Sequence, residues 1–229
     1  MNIKGLQKTT LLDFPEKLAC TVFTGGCNFR CPFCHNASLV LRAGEVESIS
    51  EEEFFSYISK RRGMLDGVCI TGGEPLLNPD IADFIRKIRS YGLLVKLDTN
   101  GSFPDKLEFL LDEGLLDYVA MDIKNSSEKY ALTAGVDKFP EEIEKSIDLI
   151  IQKAPDYEFR TTVVKELHET QDIVSIAKRI SGAKKYFLQT YVDSGDLIND
   201  GFSAYSASEM LDILEATRQI LPITVLRGV

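Results

Sequence analysis

No apolar run in these 229 residues approaches the length needed to cross a bilayer as a helix. The first residues, MNIKGLQKTTLLDFPEK, hold neither an apolar h-region nor a small-residue cleavage site, so no secretory signal is expected and the expected compartment is the cytoplasm. An excess of basic residues is also missing: Lys and Arg number 26 against 35 Asp and Glu, for a net charge of −9. A broad nucleic-acid footprint needs a basic face, so neither nucleic acid nor membrane is expected as a partner. There is no Pro/Gly/Ser-rich linker, no composition shift, no short repeat and no low-complexity tract, so a single domain over 1–229 is expected. Finally, the five cysteines are odd in number, and three crowd together. In a reducing compartment this points to metal or redox chemistry rather than to a disulfide framework.

Short apolar runs rich in β-branched residues alternate with helical patterns. The runs are LACTVFT (18–24), GVCIT (67–71), LLVKLDT (93–99), LDYVAMDI (116–123), YEFRTTVV (157–164) and KKYFLQTYV (184–192). The helical patterns fall at 50–62, 78–92, 104–114, 140–153, 170–180 and 206–220. Ser50 with Glu53 reads as a capping box, and Pro79 and Gly92 bracket the second helix. About six strand–helix alternations predict parallel strands with crossover helices. The runs look buried on both faces, as parallel strands are. A complete barrel needs eight repeats, so six in this length predict an α/β fold that is a partial (β/α)6 TIM-like barrel or an open sheet.

In such folds ligands bind at the carboxyl ends of the strands. Successive runs here end in TGGCNFRCPFCH, TGGEP, DTNG and DIKN. Polar and glycine-rich residues therefore gather on the face where a site belongs. Within CNFRCPFCH (27–35), the pair patterns for haem attachment and for thioredoxin-like redox chemistry each leave Cys27 unused. A structural zinc site would have to take adjacent Cys34 and His35 as two ligands of one tetrahedron. A group of buried cysteines without metal stays open. A [4Fe–4S] cluster uses Cys27, Cys31 and Cys34, and leaves one iron without a protein ligand. Cys20 and Cys69 lie inside strand runs and read as core residues.

C-x3-C-x2-C after a first strand, with Gly-Gly-Glu after a second, resembles the radical S-adenosylmethionine superfamily. The resemblance implies a partial (β/α)6 barrel with the [4Fe–4S] loop after strand 1, and S-adenosylmethionine bound at the open iron. It implies reductive cleavage of that cofactor to a 5′-deoxyadenosyl radical. Phe33 matches the aromatic position expected near adenine, with His35 following the cluster loop through its backbone. Gly72 and Gly73 would let the backbone approach the ligand, and Glu74 would accept from its ammonium group. Residues 5–36 look like the start of anaerobic ribonucleotide reductase activating proteins, and DTNG (98–101) and MDIK (121–124) resemble those of glycyl-radical activases generally. The implied partners are a glycyl-radical protein (anaerobic ribonucleotide reductase) and a one-electron donor such as flavodoxin.

Further site expectations follow. Asp98 and Asp122 end successive strands and should point into the barrel mouth; the resemblance to activases implies that they contact ribose or, with Thr99, hold a monovalent cation. Lys124 is expected to neutralise a ligand carboxylate, and Asn100 to bind polar ligand atoms. Arg160 is a charge within an apolar run and needs a partner, either ligand or Glu74. Gln189 and Tyr191 are candidates for adenine contacts. His168, in a charged loop, reads as a solvated surface residue. Kept beside the activase reading are an activase of the pyruvate formate-lyase type, a small-molecule radical enzyme such as a deazapurine synthase, a plain iron–sulfur electron carrier and a zinc-stabilised scaffold.

Overall fold

A computed structural model describes residues 1–228. One sheet of eight strands takes its members in chain order: β1 (Ile3–Thr10), β2 (Ala19–Thr24), β3 (Gly67–Gly72), β4 (Leu94–Thr99), β5 (Tyr118–Asp122), β6 (Tyr157–Val163), β7 (Tyr186–Thr190) and β8 (Thr224–Arg227). β2 to β8 run parallel, and β1 pairs antiparallel with β2. β1 and β8 do not pair with each other, so the barrel stays open. Helices α1 (Ala37–Leu41), α2 (Glu51–Lys60), α3 (Ile81–Ser90), α4 (Pro104–Asp112), α5 (Ser127–Ala134), α6 (Glu142–Lys153), α7 (Thr170–Arg179) and α8 (Ala207–Arg218) fill the connections.

The six strand runs read from sequence appear as β2 to β7, and the six helical patterns appear as α2, α3, α4, α6, α7 and α8. Strands β1 and β8 escape the sequence pattern because they are edges. Edge strands carry charge and exposed positions that hide the apolar alternation, as Lys4, Gly5 and Lys8 do in β1. Helix α5 escapes because only Tyr130, Thr133 and Ala134 are buried on it. The capping box at α2 is half formed: Ser50 accepts from the Glu53 N–H, with no return bond. α3 begins at Ile81 with Asp80 as its cap, two residues later than Pro79 suggested.

The strands' outer faces bear Val22, Ile70, Leu97, Phe159 and Leu188, all with no measurable exposure, packed under the helices. Period-two alternation then sends Thr21, Cys69, Lys96, Asp98, Asp122, Arg160 and Gln189 inward. The inner face is therefore polar towards the carboxyl ends, not apolar on both faces as the runs suggested. The amino ends are closed by a small apolar plug of Phe14, Ala19, Leu94, Tyr118 and Ala120.

Phe14 enters that plug through a tight turn closed by Lys17 N–H to Phe14 C=O at 3.1 Å. Pro15 and Glu16 are its central residues, and Glu16 sits at φ +61°. A turn with proline first and positive φ second favours glycine at the second position. Glu16→Gly is expected to stabilise the protein by about 0.5–1 kcal/mol, the left-handed strain outweighing glycine's entropy cost. A lower urea midpoint in the variant would refute this reading of the turn. Among the described residues, no helix is long and apolar enough to cross a membrane.

Candidate functional site

At the carboxyl ends of the strands lies a pocket of ≈ 280 Å³. Its first wall is the loop after β2. Gly26, at φ +91°, opens it, and its N–H bonds the Leu39 carbonyl at 2.8 Å. Cys27, Cys31 and Cys34 all line the pocket, with Phe33 and His35 beside them. The loop is braced from two directions. The C-terminal end of α5 accepts the Arg30 N–H at Ala134 (2.9 Å), and a later segment donates Asn199 N–H to Pro32 C=O (2.9 Å). Asp196 in that segment caps α1 through Ser38.

All five cysteines are free thiols. Burial pushes the Cys27 thiol up to about 11 and the Cys31 thiol up to about 12, and it also raises Cys34. Bare, these thiols hold their protons, and binding a metal releases them. Among the described residues no three His, Cys, Asp or Glu side chains converge on a point that would seat a single ion. Three thiols set around one pocket suit instead a multi-iron cluster, whose irons are ligated separately.

TGGEP supplies the second wall. Gly72 and Gly73 line the pocket, and they also permit a close approach to the cysteine loop. Gly73 N–H bonds Thr24 C=O at 2.9 Å, and Glu74 N–H bonds Gly26 C=O at 2.8 Å. A Cβ on Gly73 would lie 1.9 Å from the Gly26 carbonyl oxygen. Glu74 itself has no exposure and is absent from the pocket wall. Its carboxylate accepts from the Leu76 N–H (3.1 Å), the Thr99 hydroxyl (2.8 Å) and the Asn100 N–H (2.7 Å). It ties the β3 loop to the β4 loop.

Burial pushes the Glu74 carboxyl up to about 7. A raised folded value means the native state holds a proton that the unfolded chain has lost. Stability therefore falls as pH rises from the ordinary glutamate range to about 7, by about 3 kcal/mol across that window. Glu74→Gln should flatten this pH dependence in urea melts. Glu74→Ala leaves three buried donors unpaired, and a loss of about 3 kcal/mol is expected at pH 6. An unchanged pH profile in the Gln variant would refute the assignment.

The third wall is a row of alternating charge. Arg160 Nε donates to Asp122 Oδ1 at 2.8 Å, and Arg160 Nη1 donates to Asp98 Oδ2 at 3.1 Å. Lys124 Nζ donates to Asp122 Oδ2 at 3.0 Å, and Lys96 pairs with Asp98 Oδ1. Strand register accounts for part of this, since Asp122 and Arg160 are cross-strand neighbours. Burial alone would raise both aspartates, but Arg160 together with Lys96 or Lys124 outweighs it and holds them below the ordinary range. Of these cations, Lys124 and Arg160 line the pocket beside Asp98 and Asp122. Arg160 thus finds its partners in Asp98 and Asp122, with Glu158 at 3.9 Å, and Glu74 is not among them. Thr99 turns its hydroxyl to Glu74, away from the two aspartates.

Asn100 and Gln189 also line the pocket, while Tyr191 is buried outside it with its hydroxyl unpartnered. His168 reverses its expectation. It has no exposure, its Nδ1 accepts from the Val164 N–H at 3.1 Å, and its Nε2 lies 2.7 Å from the Lys124 carbonyl. With Nδ1 accepting, Nε2 carries the proton. A buried imidazole thus holds the backbone that presents Lys124. Its polar neighbours Glu166 and Glu169 hid this in the sequence. Thr21, Phe23, Phe29 and Thr162 were also missed as lining residues; their inward parity on the strands was the available signal for Thr21, Phe23 and Thr162.

Residues 21–180 match the radical SAM superfamily. The chain belongs to that superfamily. A radical SAM protein's cofactors are a [4Fe–4S] cluster and S-adenosylmethionine, and the thiol set described above fits the cluster. Among curated relatives, a protein provisionally named a glycyl-radical enzyme activating enzyme, from Methanocaldococcus jannaschii, is 34% identical over 194 residues, covering 82% of this chain and 79% of that protein. The pyruvate formate-lyase-activating enzyme of Clostridium pasteurianum is 32% identical over 130 residues, covering 54% and 52%. Streptococcus suis SuiB, solved with its precursor peptide SuiA, shares the radical SAM fold at TM-score 0.72 and 15% identity, covering 91% of this chain and 48% of that one.

Proposed function

We propose that this radical SAM protein is an activase that installs a glycyl radical on anaerobic ribonucleotide reductase, drawing its electron from a one-electron donor such as flavodoxin. The observation that carries the reading is the convergence of the three-thiol loop and the alternating charge row on one pocket open at the carboxyl ends of the strands. The M. jannaschii relative, similar over most of both chains, supports the activase class. The stretch 5–36, with its likeness to reductase activating proteins, supports the target.

The residue roles belong to the same proposal. Cys27, Cys31 and Cys34 hold the cluster, and Asn100 Nδ2, 3.8 Å from Cys27 Sγ, offers a hydrogen bond to that ligand. Lys124, on the pocket wall, offers its ammonium to the carboxylate of S-adenosylmethionine. Phe33 offers an apolar edge for adenine, Gln189 a polar one, and Gly72 with Gly73 keeps the ligand close to the cluster loop. When bound, the two cofactors supply one-electron cleavage of a carbon–sulfur bond and abstraction of a hydrogen atom from a glycine.

The test is anaerobic reconstitution, reduction and addition of S-adenosylmethionine, with and without candidate glycyl-radical proteins. Release of 5′-deoxyadenosine and a doublet in the electron paramagnetic resonance spectrum only with the reductase are expected. A doublet with a pyruvate formate-lyase-type partner instead would move the target. Cleavage without any protein partner, but with turnover of a purine precursor, would replace the activase reading by the small-molecule one.

A further inference from the structure

Two strand-end aspartates facing one pocket would repel each other, and the sequence suggested a monovalent cation between Asp98, Thr99 and Asp122. The residues present do not fit such an ion. Each of the four carboxylate oxygens already has a cationic donor: Lys96 and Arg160 on Asp98, Arg160 and Lys124 on Asp122. The Thr99 hydroxyl is spent on Glu74, and it also accepts from the Gly101 N–H at 3.1 Å.

Lys96 is the unexpected member of the row. It lies two residues before Asp98 on β4, on the same inward face, yet it does not line the pocket. It is 1% exposed. Its ammonium touches Asp98, the Cys69 sulfur at 3.8 Å and, at 5.9 Å, the face of Tyr118. Asp98 is thus its one anionic partner among the described residues. A lysine at this depth costs free energy unless paired, and a neutral inward residue would leave Asp98 Oδ1 buried without a counter-charge.

We propose that the Lys96 ammonium is the built-in counter-ion of the pocket floor, doing with a covalently attached cation what a free monovalent ion would otherwise do. By occupying Oδ1 it leaves Oδ2 to Arg160, and so fixes the guanidinium between Asp98 and Asp122. Lys96 is a positioning residue: it acts on the ligand through Asp98 and Arg160. S-Adenosylmethionine binding by this protein is accordingly independent of potassium and sodium.

The test presumes the reading of this pocket as the S-adenosylmethionine site, and its arms keep the two ideas apart. Affinity of the cluster-loaded wild type for S-adenosylmethionine is measured by calorimetry in choline chloride and in potassium chloride at equal ionic strength. Agreement within about twofold is expected, since bulk screening is matched. Lys96→Met keeps the length of the side chain and removes its charge. It should bind about tenfold more weakly in choline and regain most of that in potassium or ammonium chloride. A wild type that needs potassium, or a Met variant indifferent to the salt, overturns the proposal. The unfolding midpoints of both full-length proteins are recorded in the same salts, and a potassium-dependent rise is expected for the variant alone. If the variant does not fold in any salt, the wild-type comparison decides. If wild type binds no S-adenosylmethionine at all, the pocket reading fails, and the midpoints still report on Lys96.

Discussion

Replacing Cys31 by Ala is expected to abolish iron–sulfur absorbance after anaerobic reconstitution and to take 5′-deoxyadenosine release below detection, while the chain still folds. Cys31 is the middle member of the triplet and is 7% exposed. Its sulfur lies 3.7 Å from the Ala134 carbonyl, between the loop and the end of α5. Burial raises its thiol to about 12, so the bare protein holds it neutral, and cluster assembly has to draw the proton off. Alanine removes the ligand but disturbs little else, because the loop is held by backbone bonds from Arg30 and Asn199. A stability cost of about 1 kcal/mol is expected for the lost sulfur. Iron analysis, visible absorbance and a thermal melt check the three parts. Cys20 and Cys69 cannot substitute, since both are enclosed within strands. A variant that keeps its cluster and cleaves S-adenosylmethionine would show that the ligand set is assigned to the wrong thiols.

Gly73→Ala is expected to be among the most damaging single-methyl changes in the chain. The new carbon would meet the Gly26 carbonyl oxygen at 1.9 Å and its carbon at 2.6 Å. Those atoms are backbone, so they cannot swing aside as a side chain would. Relief requires the TGGEP loop to part from the cysteine loop, which breaks the bonds from Gly73 to Thr24 and from Glu74 to Gly26. Two lost backbone hydrogen bonds plus overpacking amount to about 3–5 kcal/mol. The separation also pulls Cys27 away from Cys31 and Cys34, so iron content per chain should fall with stability. Gly44→Ala is the control: its Cβ would meet nothing within 4 Å and no positive φ is recorded there. The control is expected to leave the urea midpoint unchanged or slightly higher. Equal behaviour of the two variants would mean that the loop contact is not under compression.

The two Gly-Gly pairs serve different needs. Gly26, after β2, supplies a φ of +91°, whereas Gly72 and Gly73, at the end of β3, let the backbone lie against that of Thr24 and Gly26. In sequence the second pair looked like room for a ligand. In the fold the pair lines the pocket and also lies against the backbone of Thr24 and Gly26. The acidity of Glu74 and its place after the glycines made it a natural ligand contact. Its three donors come from Leu76, Thr99 and Asn100, two of them in a loop some 25 residues away.

What the sequence determined by itself was local in origin. Strand and helix alternation follows from hydrophobic period, and the six central strands and their parallel sense came from it. The cysteine spacing on one short loop follows from chain connectivity, and so does the placing of polar segments at the carboxyl ends. Tertiary structure alone decided who pairs with whom. Which cation meets Asp98 depends on strand register and on the curvature that turns β4, β5 and β6 towards one interior, and neither leaves a mark in local composition. The same holds for His168, whose charged neighbours point outward while its ring is buried beneath Lys124, and for β1 and β8, whose edge positions let polar residues stand where a central strand would need apolar ones. Charge in this barrel is stable only because opposite charge arrives from distant strands, and a linear pattern cannot record that arrival.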